Sequence, residues 1–377
     1  MNNAPMPLKR RIVMQAGLGL GLGAQTTYAA TAASSERQSL VFPRDAGAHP
    51  DHAIEWWYVT GYTVPIGSEA GADAAFGFQV TFFRIRVPQT QDMRSGLAAK
   101  HLVIAHAALT DVKGKKLWHA QRLGRSSGVE PGHNPAENTW ASVHDTQLQL
   151  RDWSLQTQGH GLRTRVQGDD FSFDLTLTTS QPVLLQGEQG FSQKGPDRSH
   201  SSYYYSLPQL KVGGSLVLGG RTHTVGAGST AWLDHEWSQQ VMPPGAVGWD
   251  WIGINLFDGS ALTAFRLRDK QGHAVWDGGS FRASATLFTF RRGDVVFKPQ
   301  RLWKSPVTQA SYPVEWIVRT PADFYTVRAM IDNQELDSRN STGNIYWEGL
   351  SEVWDSNGRL VGRGYLEMTG YASPLRL

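Results

Sequence analysis

The chain has no cysteine in its 377 residues. That excludes disulfides, thiolate nucleophiles, cysteine-ligated zinc and a lipid-modified N-terminal cysteine. A chain of this length can rely on an apolar core instead. Long apolar runs are missing too, so no stretch reads as a transmembrane helix. Long helical periodicity is nearly absent. There is no Gly-Xaa-Ser-Xaa-Gly elbow, no P-loop and no dinucleotide fingerprint.

A charge excess is also missing once the N-terminus is set apart. The chain carries 36 Lys and Arg against 33 Asp and Glu. Lys9, Arg10 and Arg11 lie in the first 32 residues, which hold no acid, so the remainder balances at 33 of each. No basic stripe is left to meet phosphates, and nucleic-acid binding is not expected. Residues 1–32 follow the plan of an export signal: the basic triplet, a weakly apolar Gly-Leu run from Ile12 to Ala24, and Ala30-Thr31-Ala32 as a cleavage site. Paired arginines before Ile12 and Val13 are similar to a bacterial twin-arginine signal. The expected location is periplasmic or secreted. A basic membrane anchor is the alternative, for which the run is short and rich in glycine.

What is present is strand signal. Alternating or β-branched and aromatic runs cover 53–64, 75–87, 101–112, 171–179, 215–219, 229–237, 248–257, 261–269, 280–290, 314–320, 324–331, 344–354 and 360–371. Asp258-Gly259 and Asn357-Gly358 are hairpin turns between such runs. The 40 Gly and 18 Pro suit many turns between short strands. So many strands exceed one small barrel. The expectation is an all-β chain of two tandem antiparallel barrels, over 33–237 and 248–377, joined by a Pro243-Pro244 linker at 238–247. The polar loops 88–100, 124–138 and 186–200 are either lids over barrel mouths or surface decoration.

Six of the 14 Trp fall in three segments that also hold acids and histidine. These are Glu55-Trp56-Trp57-Tyr58, Trp232-Leu233-Asp234-His235-Glu236-Trp237, and Trp249-Asp250-Trp251. Indole interleaved with polar groups suggests an apolar cavity with a few placed polar groups. Period-two alternation sorts the faces. Glu55, Trp57 and Val59 share one face of their strand, opposite Trp56 and Tyr58. Leu233, His235 and Trp237 oppose Asp234 and Glu236. Trp249 and Trp251 oppose Asp250, Ile252 and Ile254. Glu55 and His235, each beside a Trp, are therefore candidate catalytic groups. A carboxyl in an apolar wall has a raised pKa and can donate a proton, with the imidazole as its partner. The competing reading is a structural pair tied to Arg84 or His106. Asp250 is either a partner to a buried base or an outer-face residue. Tyr204, opposite Tyr203 and Tyr205, lines a pocket or packs an interface. Tyr346-Trp347-Glu348 repeats the aromatic–acid theme and reads equally as core.

No metal is expected. His49, His52 and Glu55 would converge on a helix, but on a strand their spacing alternates sides. Asp234, His235 and Glu236 alternate likewise.

Several strings resemble the AttH-like and carotenoid 1,2-hydratase (CrtC-like) family. They include Phe42-Pro43-Arg44-Asp45, Glu55-Trp56-Trp57-Tyr58, Phe78 to Arg84, Ala105-His106, Tyr203 to Tyr205, Trp232 to Trp237, Gly248 to Trp251 and Gly364 to Tyr371. The resemblance covers nearly the whole chain after residue 32. It implies two lipocalin-like, calycin-type barrels and chemistry without a cofactor. Its hydratases protonate an isoprenoid double bond and add water to the cation. His235 and Trp237 match the hydratase His-Xaa-Trp element, and Asp250 is the match to its acid. The expected site thus has Glu55, His235 and Asp250 as catalytic groups. Trp57, Tyr58, Arg84, His106, Tyr204, Trp237, Trp249 and Trp251 would bind a lipophilic small molecule. A carrier that binds such a molecule unchanged is the alternative function.

Overall fold

The computed structural model describes residues 38–68, 71–128 and 138–375. The expected export signal lies outside them. From Ser39 onward the chain forms one compact unit. It is all-β: among the described residues there is no α-helix, only two single-turn 3₁₀ segments. No helix among them is long and apolar enough to cross a membrane.

The first sheet begins with β1 (Ile54–Thr63), β2 (Phe76–Arg86), β3 (His101–Asp111) and β4 (Lys116–Ser126). It continues with β5 (Thr139–Ala141), β6 (Gln147–Leu150), β7 (Trp153–Gln158), β8 (Gly161–Gln167) and β9 (Phe171–Thr178). It closes with the short β10 (Leu184–Leu185) and β11 (Phe191–Gln193), then β12 (Ser201–Leu218), β13 (Arg221–Thr224) and β14 (Thr230–Ser238). The ladder order is β4-β3-β2-β1-β14-β12-β9-β8-β7-β6-β5, all antiparallel. Its two ends curl together into a nearly closed barrel. Gly124 on β4 permits that approach, because a Cβ there would fall 2.6 Å from Leu150 and 2.7 Å from Thr139.

The second sheet holds β15 (Gly248–Leu256), β16 (Ala261–Arg268), β17 (Ala274–Ala283), β18 (Thr286–Phe290) and β19 (Val296–Pro299). After a separate hairpin of β20 (Leu302–Lys304) and β21 (Ser311–Pro313) come β22 (Glu315–Arg319) and β23 (Phe324–Ala329). Then follow β24 (Glu335–Ser338), β25 (Asn344–Trp354) and β26 (Leu360–Thr369). The order is β18-β17-β16-β15-β26-β25-β23-β22-β19. The segment 239–247, with its paired prolines, joins β14 to β15.

Most expected strands are found within a residue or two of their expected ends. The run 280–290 is not one strand. It reverses at Ser284, whose φ of 51° supplies the turn, and pairs back on itself as β17 and β18. Strands β4 to β8 carry too many polar residues to stand out in the sequence.

The alternation has a direct energetic result. One face of β1, β2 and β14 turns into the first barrel, where Trp57, Val59, Phe78, Val80, Phe82, Leu233 and Trp237 are buried in one core. A second core fills the other sheet around Ile252, Ile254, Trp316, Val327, Trp347 and Leu366. The outer faces of the two sheets meet in a third cluster, including Tyr58, Tyr62, Trp232, Trp251, Phe265, Leu350 and Tyr365. Burying several large aromatics in this third layer contributes about 1.5–3 kcal/mol per fully buried side chain. Polar ties cross it: Gln79 Nε2 to Glu348 Oε2 at 2.9 Å, Thr110 Oγ1 to Gln334 Oε1 at 2.9 Å, and His106 Nδ1 with Tyr346 Oη at 2.7 Å.

Candidate functional site

Three groups of buried carboxyls result from this layering. The first lies inside the first barrel. β1 pairs with both β14 and β2, which sets Glu55 beside Trp237 on one side and Arg84 on the other. Glu55 is fully buried. Arg84 Nε donates to its Oε2 at 2.8 Å, His235 Nε2 meets Oε1 at 2.8 Å and His49 Nδ1 meets Oε1 at 2.6 Å. The His49 backbone N–H adds a bond to Oε2 at 2.9 Å. Burial alone would raise the Glu55 pKa, but Arg84, His235 and His49 outweigh it and hold the carboxyl well below its ordinary value. Burial also lowers His235 to about 4, against the pull of Glu55. Near neutral pH, then, Glu55 is ionised and His235 is neutral. The carboxylate needs a donor, so the His235 proton sits on Nε2, leaving Nδ1 to accept from Tyr205 Oη at 3.2 Å. His235 stacks on Trp57, and His49 on Trp237.

The expectation of a raised, proton-donating Glu55 is therefore corrected. The apolar wall is there, but a buried guanidinium, two imidazoles and the His49 backbone N–H fill the acceptor positions. His49, Glu55 and His235 also offer three metal-ligand atoms within 4.8 Å of one another. A cation there would sit beside the Arg84 guanidinium and displace bonds already made, so the donor set fits an ion-pair network better than a metal centre.

The second group lies in the interior of the second sheet. Asp250 is fully buried, with Arg266 Nε at 2.7 Å, Arg268 Nε at 3.5 Å and Tyr371 Oη donating at 2.8 Å. It faces the core of Ile252 and Ile254, opposite Trp249 and Trp251. It cannot share a cavity with Glu55: each carboxylate points into a different sheet's interior. The two are counterparts. Each lies on the strand that opens its sheet and pairs with an arginine directly across the next strand.

The third group lies between the sheets, around a cavity of about 110 Å³. Trp56, Tyr58, Tyr204, Trp249, Trp251 and Phe265 supply aromatic wall, and Asp234, Glu236, Glu348, Glu367 and Lys194 supply charge. Asp234 comes from β14, one residue before His235 and on the opposite face. Ser206 Oγ and Trp232 Nε1 each donate to its Oδ1 at 2.6 Å, and Tyr204 Oη donates to Oδ2 at 2.7 Å. Further partners set those directions. Gln186 Nε2 donates to Ser206 Oγ at 2.9 Å, and Trp251 Nε1 donates to Tyr204 Oη at 3.2 Å. Each hydroxyl accepts from behind and so donates forward. Both lone pairs of Oδ1 are then used and one on Oδ2 is left, so a proton on Asp234 belongs on Oδ2. Burial raises this carboxyl to about 7 despite the three donors.

The neighbouring acids differ. Glu236 is paired with Lys194 Nζ at 2.9 Å, and that ammonium lies over the rings of Tyr204 and Phe265 at 4.7 and 4.4 Å. Across the cavity Glu348 and Glu367 are direct cross-strand partners. Burial pushes Glu367 up to about 8, and its remaining exposed surface lines the cavity. Burial, then the charge of Glu367, raises Glu348 well above its ordinary value. His106 is buried and lowered to about 3, bonded to Tyr346 and Ser341, so it serves the cavity as a neutral group.

Of the residues singled out from sequence, Tyr58, His106, Tyr204, Trp249 and Trp251 line this cavity. Glu55, Trp57, Arg84, His235 and Trp237 come together, but behind the wall, inside the first barrel. Asp250 belongs to neither group. Sequence reasoning passed over Asp234, Glu236, Lys194 and Glu367 as site residues and left Glu348 between site and core. For the first two the signal was present, since alternation puts them on the face opposite His235. What the sequence withheld was which face meets the other sheet.

Comparison with known proteins adds family context. The profile of the AttH-like family matches residues 33–371. A solved structure described as a putative AttH from Nitrosomonas europaea is 42% identical, covering 89% of this chain and 98% of its own, with a TM-score of 0.78. Kievitone hydratase from Nectria haematococca is 15% identical, with a TM-score of 0.64 over 89% of this chain and 94% of that one. CghA, solved with Sch210972, is 13% identical, with a TM-score of 0.51 over 88% and 96%. Both of these share the fold. No protein of curated function matches.

Proposed function

The chain belongs to the AttH-like family, and from that premise we propose that it is an exported, cofactor-independent hydratase- or isomerase-type enzyme. Its substrate would be a lipophilic, isoprenoid-like molecule held in the aromatic cavity between the sheets. The observation that carries the reading is Asp234. Its carboxyl is raised to about 7 among indole and phenol rings, and neighbouring donors leave it one position for its proton. An acid that must protonate an alkene has to carry a proton near neutral pH, and a carboxyl raised to about 7 is protonated in a substantial share of molecules there. That the fold is shared with a hydratase lends support at the level of architecture only.

The chemistry balances with the groups present. Asp234 Oδ2 gives its proton to one alkene carbon, forming a C–H bond and leaving the neighbouring carbon positive. The ring faces of Trp56, Trp249 and Trp251 lower the energy of that cation. Water then forms the C–O bond and loses a proton to Glu236, which Lys194 holds in place. In an isomerisation, loss of a different C–H proton replaces the addition of water. Glu236 then releases the proton it took to solvent water, and Asp234 Oδ2 takes one from solvent, so the net reaction of the hydration is addition of one water and both carboxyls return to their starting states.

The test is isotopic. The full chain is incubated with prenylated alkenes in deuterium oxide or heavy-oxygen water, and the recovered ligand is weighed by mass spectrometry. Incorporation of label by wild type, lost in Asp234→Asn with binding retained, is the expected result. A ligand that binds and is recovered unlabelled after long incubation makes the protein a carrier. Export has its own test: Arg10→Lys with Arg11→Lys should trap precursor in the cytoplasm. Unchanged export would exclude the twin-arginine route.

A further inference from the structure

A second cavity, of about 300 Å³, lies beside the first, between the segment 186–198 and the hairpin of β17 and β18. Phe265 lines both, so the two spaces adjoin at this residue. They are also joined through side chains. Gln186 lines the second cavity and donates to Ser206, which in turn donates to Asp234 of the first. Ser280 Oγ fixes the Gln186 amide by donating to its Oε1 at 2.9 Å.

The two spaces differ in chemistry. The first is aromatic and acidic. The second carries Arg198, Arg291 and Arg292. Arg198 is shared with Glu188 at 2.9 Å. Among the described residues, Arg291 and Arg292 have no carboxylate within ion-pair distance, although the Arg292 guanidinium lies over the Trp276 ring at 5.1 Å. A guanidinium over an indole face gains a cation–π contact while its N–H groups stay free to meet an anion. Asp277, the other acid in the lining, accepts from the backbone N–H groups of Gly293 and Val295 and feels the charge of Arg292 from beyond ion-pair distance.

We propose that the second cavity is a subsite for the anionic end of an elongated substrate, with Arg291 and Arg292 as its receptors and Phe265 at the junction its chain must pass. This rests on the reading of the first cavity as the site for the apolar body, and it narrows the substrate class to amphipathic acids. Both arginines are exposed, so they meet an anion at the solvent side of this cavity, where a neutral hydrocarbon would gain nothing from them.

Parinaric acid and its methyl ester share a fluorescent polyene chain and differ in charge. Titrated into the full-length protein, the acid should bind about tenfold tighter than the ester, the scale of a charge-assisted contact. Arg291→Gln with Arg292→Gln should erase that preference and leave the ester unchanged. Arg163→Gln with Arg165→Gln, which removes the same charge from a distant strand, should preserve it. Equal binding of acid and ester to wild type, or a preference that survives in the first variant, would overturn the subsite while leaving the aromatic cavity intact. Binding of neither probe would overturn both.

Discussion

Asp234 and His235 are neighbours in sequence and live in different chemistries. His235 looks into the first barrel, where Glu55 is ionised, ringed by donors and matched by a buried guanidinium. Asp234 looks out at the second sheet, where its carboxyl has donors but no cation and is raised to about 7. Both acids are buried. What separates them is whether a positive charge was buried too. A paired carboxylate holds structure together, whereas an unpaired one keeps its proton and can give it away.

The sharpest way to break this contrast is to remove each acid in turn. Glu55→Ala leaves Arg84 buried without its carboxylate and should cost about 3–5 kcal/mol of stability in urea unfolding. If it unfolds like wild type, the structural role fails. Asp234→Asn should keep the fold and lower isotope incorporation by about a hundredfold or more. Retained turnover would shift the donor to Glu367 or Glu348, the other raised acids in the cavity wall. Asp250→Asn should fall between wild type and the Glu55 variant, at about 1–3 kcal/mol. Its chief arginine, Arg266, keeps some contact with water and is not left stranded.

Acid titration sharpens the comparison further, because the two groups pull in opposite directions. The Asp234 contribution is fully present below its ordinary value of 3.8 and is lost as pH rises through about 7. The Glu55 contribution is present above its ordinary value of 4.5 and is lost as pH falls through its depressed folded value. Relative to wild type, Asp234→Asn should therefore gain stability between about pH 4 and pH 7. Thermal melts that shift in parallel across that range would refute the raised carboxyl. The smallest effect is expected from Trp251→Phe. It removes the donor behind Tyr204 at a cost of about 0.5–1.5 kcal/mol and frees the Tyr204 hydroxyl to turn from Asp234, lowering turnover more than ligand binding.

Much of this was legible in the sequence, for reasons that also mark where it stopped. Alternation alone separated Glu55 and Trp57 from Trp56 and Tyr58, and His235 from Asp234, because side-chain period in a strand is fixed by geometry. Strands such as β2 and β15 declared themselves by β-branched and aromatic content. Alternation does not say which face meets a second sheet, and aromatic richness on both faces hid the answer. Glu55 was expected to keep its proton because Trp57 stood beside it. Arg84, the partner in the competing structural reading, reverses this; it lies 29 positions away, and only the β1–β2 register decides for it over His106. Lys194 lies in a loop without pattern, and Glu348 and Glu367 meet only across two late strands.

Strand β14 is a party wall between two rooms. Its side chains alternate between the ion network of the barrel and the cavity, so a one-residue insertion would exchange their contents, sending the protonated acid among the ion partners. Redesign of ligand preference therefore has little freedom on β14 or β1. It has more on β16 and on the segment 186–198, which border the cavities without holding the Glu55 network. Libraries built there should yield altered specificity at a far higher rate of folded clones than libraries built on the wall.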